Sequence, residues 1–419
     1  MEFNEAVDYV ESLEKFGIKL GLDTIKNLLK FMDNPQKSYK VIHVAGTNGK
    51  GSTSNFIYQT LVESDIDVGL FTTPHLSYYN EKIRYNNKMI SDDDFISVVK
   101  FVKSKVKKMV EKGYNHPTRF EVLTAISLEF FKRKKLEYVV LEVGMGGRLD
   151  STNIVKPIIS VITSIAMDHK DYLGDTIEKV AFEKAGIIKK NTKVITSNTN
   201  PLVLKVLKDK SKKMNAKLVK VDTKKYSIKK ISLKGIEFEY KNNIFKISMI
   251  AKYQIENAIL AYEVLRSLDK KLKIKKGLKK ARWPGRFEII NDKPLIIIDG
   301  AHNLQGAEAL KISIEKLFKN KKILCVFGML KDKDIDNILK ITSDLFEKVI
   351  VTQVNNPRAM KLNELFKKVR KYNSNVEKKK LNKIINTVKE KSRNYDVTII
   401  FGSLYMIGDF RKKLVKSKK

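Results

Sequence analysis

VIHVAGTNGKGSTSNFI, residues 41–57, is the stretch from which the rest of the chain is read. Val41 to Ala45 are apolar and β-branched enough for a buried strand. Gly46 to Gly51 hold three glycines in six positions, and from Ser52 onward the pattern turns helical. Strand, glycine loop and helix in that order form an anion cradle. Glycines let backbone N–H groups turn inward on a phosphate, the new helix adds the positive end of its dipole, and Lys50 supplies a mobile cation. The spacing is GxxGKGS rather than GxxxxGKS/T: the first glycine stands three before Gly49, and Gly51 separates Lys50 from Ser52. The ligand expected here is a nucleoside triphosphate.

The composition narrows the class. At 419 residues the chain is too long for one core and reads as two domains or three, at about 150 residues each. Apolar runs such as PIISVITSIA and PLIIIDG fall well short of the roughly 20 residues that span a bilayer, and no apolar leader opens the chain. A cytoplasmic protein with no membrane partner is expected. The single cysteine, Cys325 in KILCVFGML, excludes an internal disulfide framework and reads as a small core residue. The net charge of +36 invites a nucleic-acid reading. However, 72 of the 83 cations are lysines, scattered over helix faces without aromatic interleaving, which is the pattern of solvated faces. Against that background an arginine marks a need for the planar five-donor fork. Arg84, Arg119, Arg148 and Arg286 all fall inside motifs.

Taken in order, the opening segment has helical periodicity broken at Gly17 and Gly21, and is too short for a separate nucleotide-sugar domain. DVGLFTT gives a second strand, and TPHLSYYNEKIRYNN an aromatic polar loop of the functional kind. Ser91 caps a long helix running to about Lys112, and another begins at Thr118. LEYVVLEVGMGGRLDSTN runs a buried strand into Glu142, the position of a Walker B carboxylate that holds Mg²⁺. PIISVITSIAMDHKDYLGDT places Asp168 and His169 beyond another strand, at the edge where ligands of α/β sheets gather. Glu183 and Lys184 follow on a helix. From about 205 to 250 short lysine-rich strands read as an antiparallel patch appended to the main sheet. Gln254 and Asn257 are a polar pair on an otherwise apolar helix. With a boundary near Pro284, the expected domains are 1–283 and 284–419. The second restarts as β-α-β, with Asp299 to Asn303 at its first strand-to-helix turn.

These motifs together, from FGIKLGL and HVAGTNGKGST through TTPHL, PTRFE, LEVGMGGRLDSTN, SIAMDH, EKAGIIK and PGRFE to DGAHN and GSLYMIG, resemble the folylpolyglutamate synthase and dihydrofolate synthase family of the Mur ligase group. The resemblance covers nearly the whole chain. It implies an α/β fold, a P-loop-type mostly parallel sheet domain followed by a smaller Rossmann-like domain. Under it Gly49, Lys50, Gly51 and Ser52 cradle the ATP phosphates, and Asn257, Arg286 and Asp299 complete the nucleotide site. Thr73, Glu142 and His169 match Mg²⁺ ligands, and Lys184 matches a lysine that the group carbamylates. A carbamate beside Mg²⁺ is an oxygen ligand, where a bare ammonium would repel the ion. The pterin substrate is assigned to Lys19, Leu20, Gly21 and Leu22, to Thr118, Arg119, Phe120 and Glu121, and to Leu149, Asp150 and Ser151. Phe120 is expected as a stacking face and Arg119 as a fork for a carboxylate or amide. Lys82 stands where relatives carry arginine in the segment after PHL, with Arg84 available to compensate.

The activity so implied is an ATP-dependent ligase with two Mg²⁺ sites that joins L-glutamate to dihydropteroate or a folate through an acyl phosphate. Lys50, Lys184 and His302 are its catalytic candidates, His302 either placing glutamate or phosphate or capping a helix. The expected partners are these small molecules, with no nucleic acid, and the chain is expected to act as a monomer. Domain closure over ATP is expected, with Lys82 to Asn87 and the TTPHL loop moving. The bifunctional enzyme is the first reading and an extending synthase alone the second. A P-loop motor on nucleic acid and a regulatory protein without turnover are the remaining readings.

Overall fold

The computed structural model describes residues 1–17, 19–168 and 170–415, with backbone only at 170 and 171. Two compact units divide it: Met1–Lys225 with Asn257–Ala281, and Tyr226–Glu256 with Arg282–Lys419.

The first unit is built on strands β1 (Lys40–Ala45), β2 (Val68–Phe71), β3 (Ile83–Tyr85), β4 (Lys88–Met89), β5 (Tyr138–Glu142), β6 (Ile159–Ile162), β7 (Lys193–Thr196) and β8 (Lys217–Lys220). They form one sheet in the order β4-β3-β2-β5-β1-β6-β7-β8. All neighbours from β2 to β8 pair in parallel, and β3 and β4 add an antiparallel edge. The interior strands are buried along almost their whole length, as a sheet covered on both faces requires. One face carries the amphipathic helices Phe3–Ser12, Asp23–Phe31, Asp92–Glu111 and Arg119–Arg133, whose apolar stripes share a core with Val41, Phe71 and Leu141. The other is covered around Ile162, Val180, Ile187 and Leu207. Neighbouring strands β1 and β5 are followed by connections that leave in opposite directions, which opens a crevice at their carboxyl ends.

The second unit contains an antiparallel sheet of β9 (Ser227–Ser232), β10 (Gly235–Tyr240) and β11 (Asn243–Ile247). Its larger sheet has strands β12 (Glu288–Asp292), β13 (Leu295–Asp299), β14 (Ile323–Phe327), β15 (Lys348–Val351), β16 (Val376–Lys378) and β17 (Val397–Phe401), in the order β12-β13-β17-β14-β15-β16. Only β12 is antiparallel. Cys325 lies buried in this core as an unpaired thiol.

Three expectations change. The 205–250 segment is not one antiparallel patch: Pro201–Lys213 is a helix and Lys217–Lys220 is the parallel edge of the main sheet. The hairpins at 227–247 belong to the second unit, and the chain passes finally between units at Ala281/Arg282. Residues 83–85, expected within a loop, form β3, hydrogen-bonded to β2. No helix of the described residues is long and apolar enough to cross a membrane.

Candidate nucleotide and substrate sites

In the first unit the glycine loop leaves β1 and is tied along its length to the segment after β6. The Thr47 amide donates to Ser164 O at 2.7 Å, and the Thr47 hydroxyl donates to Ala166 O at 3.0 Å. Two glycines are dictated by geometry. Gly46 has φ +148°, and a Cβ there would overlap the Thr163 hydroxyl; Gly49 has φ +85°, and a Cβ would overlap Asn257 Oδ1. Gly49 precedes the first residue of helix Lys50–Glu63, so the helix N-terminus opens directly on the loop, with Ser52 buried beneath it. The Asn257 side chain therefore packs against bare loop backbone.

Two ammonium groups converge on this loop. Lys50 Nζ donates to Gly46 O at 3.0 Å and to Thr47 O at 3.1 Å. Lys184 Nζ, only 4% exposed, donates to the same Gly46 O at 2.9 Å. Burial pulls the Lys184 amine down to about 7, helped by the charge of Lys50 and opposed by Asp168 and Asp150. A lysine held near neutrality by a buried site and a second cation is a nucleophilic amine at physiological pH.

Glu142 ends β5, buried, in register with Val44. Phe71 at the end of β2 registers with Leu141, so Thr73 leaves the sheet at the same edge. A hydroxyl and a carboxylate are the hard oxygen donors that suit Mg²⁺, and a carbamate on Lys184 would add another. His169 lies outside the described residues. Among the described residues no group of three His, Cys, Asp or Glu side chains is placed to hold a metal.

The stretches expected to hold the pterin are heavily engaged by the protein itself. Thr118 and Glu121 form a capping box: the Glu121 amide donates to Thr118 Oγ1 at 3.3 Å, and the Thr118 amide to Glu121 Oε2 at 2.8 Å. Arg119, expected as a fork for a substrate carboxylate or amide, grips Glu11 at 2.6 Å and Glu14 at 2.8 Å. The Phe120 ring packs beside Phe71 and against the bare backbone of Gly144, where a Cβ would lie 2.6 Å from its Cζ. The Asp150 carboxylate is buried, accepts from the amides of Met145 and Thr152 and the Thr152 hydroxyl, and so holds the glycine turn. Burial pushes its pKa up against those donors. Ser151 is buried and Leu149 half-buried, while Lys19 and Leu20 face solvent and Gly21 and Leu22 are half-buried.

Lys82 is buried rather than presented. Its Nζ lies over the Tyr79 ring, 3.9 Å from Glu11, and burial lowers its amine to about 7.

In the second unit Asp299 ends β13, 3% exposed. Its Oδ1 accepts from the Ala301 amide at 2.8 Å; its Oδ2 accepts from the Phe287 amide at 2.8 Å and the Tyr253 hydroxyl at 2.9 Å. Burial raises its pKa, and neighbouring Arg286 opposes that most strongly. His302 Nδ1 donates to Gly300 O at 2.7 Å. The helix Leu304–Leu317 is capped by Asn303, which accepts from the Gly306 amide, so capping is not the role of His302.

Two family descriptions match this chain. The Mur ligase middle domain covers residues 44–265, and the Mur ligase glutamate ligase domain covers 285–404. A Bacillus subtilis protein named dihydrofolate synthase/folylpolyglutamate synthase is 34% identical, over 98% of this chain and 99% of its own length. The chain belongs to the dihydrofolate synthase/folylpolyglutamate synthase family of Mur ligases. Solved structures of family members agree along the whole length. A Thermotoga maritima folylpolyglutamate synthase superposes with a TM-score of 0.87 at 34% identity, covering 99% of this chain and 97% of that one. E. coli FolC in complex with DHPP and ADP gives 0.88 at 28% identity, covering 100% and 99%.

Within this family frame, three residues stand out that sequence reasoning did not reach. His43 is wholly buried in β1 and sits 2.9 Å from the Thr152 hydroxyl that binds Asp150. Its signal was available, as the one polar side chain in VIHVA. Tyr253 beside the flagged Gln254, and Glu11 beneath Arg119, gave none, because their partners lie 46 and 108 residues away.

Proposed function

We propose that the chain is an ATP-dependent ligase that adds L-glutamate both to dihydropteroate and to folates, through an acyl phosphate. The observation that carries this reading is the buried Lys184 amine bound to the carbonyl of a phosphate-type glycine loop, in a family chain whose E. coli relative binds DHPP and ADP. The substrate carboxylate attacks the γ-phosphorus of ATP; a P–O bond forms to the acyl oxygen as the bond to ADP breaks. The glutamate amine then attacks the acyl carbon, phosphate departs, and the amine proton goes to solvent. An anion attacking a polyanion needs charge neutralisation and alignment above all, so no protein nucleophile is required.

The amides opening helix Lys50–Glu63 and the Gly49–Ser52 backbone cradle the phosphates, and Lys50 turns from its loop carbonyls to the γ-phosphate. Thr73, Glu142, His169 and a carbamylated Lys184 would hold two Mg²⁺ ions, which when bound neutralise phosphate charge. Asn257, Arg286 and Asp299 complete the nucleotide contacts, and His302 places glutamate or phosphate. Lys19 to Leu22, Thr118 to Glu121 and Leu149 to Ser151 border the pterin. Given the internal partners of Thr118, Arg119, Glu121 and Asp150, Phe120 and exposed backbone carry most of that contact. The functional boundary is placed at Pro284, and the protein is taken to act as a monomer in the cytoplasm.

Lys50→Ala tests the cradle. ADP release should fall by at least about a hundredfold, the scale of losing a charge aligned with a transferring phosphoryl group. Turnover at the wild-type rate would remove the assignment.

A further inference from the structure

Resting on the nucleotide reading above, we propose that Tyr253 is a positioning residue: through Asp299 it fixes the Arg286–Phe287 turn and so aims the Arg286 guanidinium at a nucleotide phosphate.

The Asp299 carboxylate is tied into its own unit before any ligand arrives. It is buried, and both oxygens already accept from groups of its own unit. What it holds is more telling. Phe287 has φ +50°, a left-handed conformation that an aromatic L residue keeps only where its surroundings over-determine it. Two anchors do so here. The ring is buried in the core of the second unit, and the amide is bonded to Asp299 Oδ2. That same oxygen takes the Tyr253 hydroxyl, which the Gln254 side chain bonds in turn, with Gln254 fully buried.

Arg286 is the residue before this strained position, so its direction follows from Phe287. Its guanidinium runs over the bare backbone of Gly300, where a Cβ would lie 2.7 Å from Nη1. The Gly300 amide donates to Gly285 O at 2.9 Å and closes the turn from the other side. Arg286 thus lies between a glycine that admits it and a strained neighbour that orients it. Tyr253 supplies one of the two hydrogen bonds on the oxygen that maintains the strain. Removing that hydroxyl leaves Oδ2 in a buried setting with one donor, which loosens the turn without touching the guanidinium.

Tyr253→Phe keeps the ring and removes only the hydroxyl. Binding of ADP and of a non-hydrolysable ATP analogue, by calorimetry, should weaken about tenfold, as expected for a buried acceptor losing a partner. The KM for glutamate should stay within about twofold. Arg286→Ala and the double variant complete a cycle. If Tyr253 acts through Arg286, the double variant binds nucleotide no more weakly than Arg286→Ala alone. Three results overturn the proposal: nucleotide affinity unchanged in Tyr253→Phe, its full factor recurring on top of Arg286→Ala, or an equal rise in every KM, the mark of general loosening. A wild-type chain that binds no nucleotide overturns the functional reading and the proposal together. Wild-type binding matched by Tyr253→Phe overturns the proposal alone.

Discussion

At Gly49 the phosphate loop and the Asn257 side chain compete for the same space, and the backbone sits at φ +85° besides. Gly49→Ala therefore meets two costs: roughly 1–2 kcal/mol for the left-handed backbone, and the displacement of Asn257. A loss of at least about tenfold in kcat/KM for ATP is expected, with far-UV dichroism unchanged. Unaltered kinetics would mean that the loop can relax where the packing says it cannot. Lys184 gives a prediction in pH. Its amine titrates at about 7 in place of 10.5. About half is free base at pH 7, against roughly one in three thousand for an ordinary lysine. The free amine attacks CO₂, forming an N–C bond and releasing a proton, so carbamate formation rises with pH through about 7 and is suppressed below it. In CO₂-limited buffer activity should rise across that range, flatten on adding bicarbonate, and vanish in Lys184→Ala with or without bicarbonate. Activity indifferent to CO₂ and to that substitution would remove the carbamate.

At the scale of elements, what the sequence made legible was local. The glycine loop, the buried strands and the helix starts at Ser91 and Thr118 announce themselves through periodicity and capping residues within a few positions. Thr118 shows where such reading needs a structure. As a helix cap it should cost about 1 kcal/mol of stability when changed to alanine, measured by urea unfolding. The KM for the pterin substrate should move less in Thr118→Ala than in Phe120→Ala; the reverse order would return Thr118 to the substrate. Edge strands were lost for a related reason. Ile83–Tyr85 and Lys217–Lys220 are short, with charged residues among apolar ones, and are held as strands by pairing with neighbours such as Val68–Phe71 and Lys193–Thr196. The partners of Arg119 and Asp299 come from distant elements, and no spacing in the chain encodes Glu11 beneath one or Tyr253 beside the other.

Over the whole molecule, the order of motifs, the two α/β units and the full-length agreement with family structures all point to one ligase. The charge of +36 is the one global feature that leans elsewhere. Its lysines are distributed, and many pair with local carboxylates, as Lys276 and Lys280 do with Glu63 and Lys348 and Lys391 with Glu377. Binding carried by such a surface would be steeply salt-dependent and indifferent to pterins. The most direct measurement is phosphate release by the purified chain with MgATP and L-glutamate, offered dihydropteroate, tetrahydrofolate, polynucleotide or no acceptor, with the products weighed by mass spectrometry. One glutamate joined to each pterin acceptor with stoichiometric phosphate, and no stimulation by polynucleotide, is the expected result. Addition to tetrahydrofolate alone would reduce the enzyme to the extending activity. Phosphate release stimulated by polynucleotide alone, with no glutamylated product, would contradict the account.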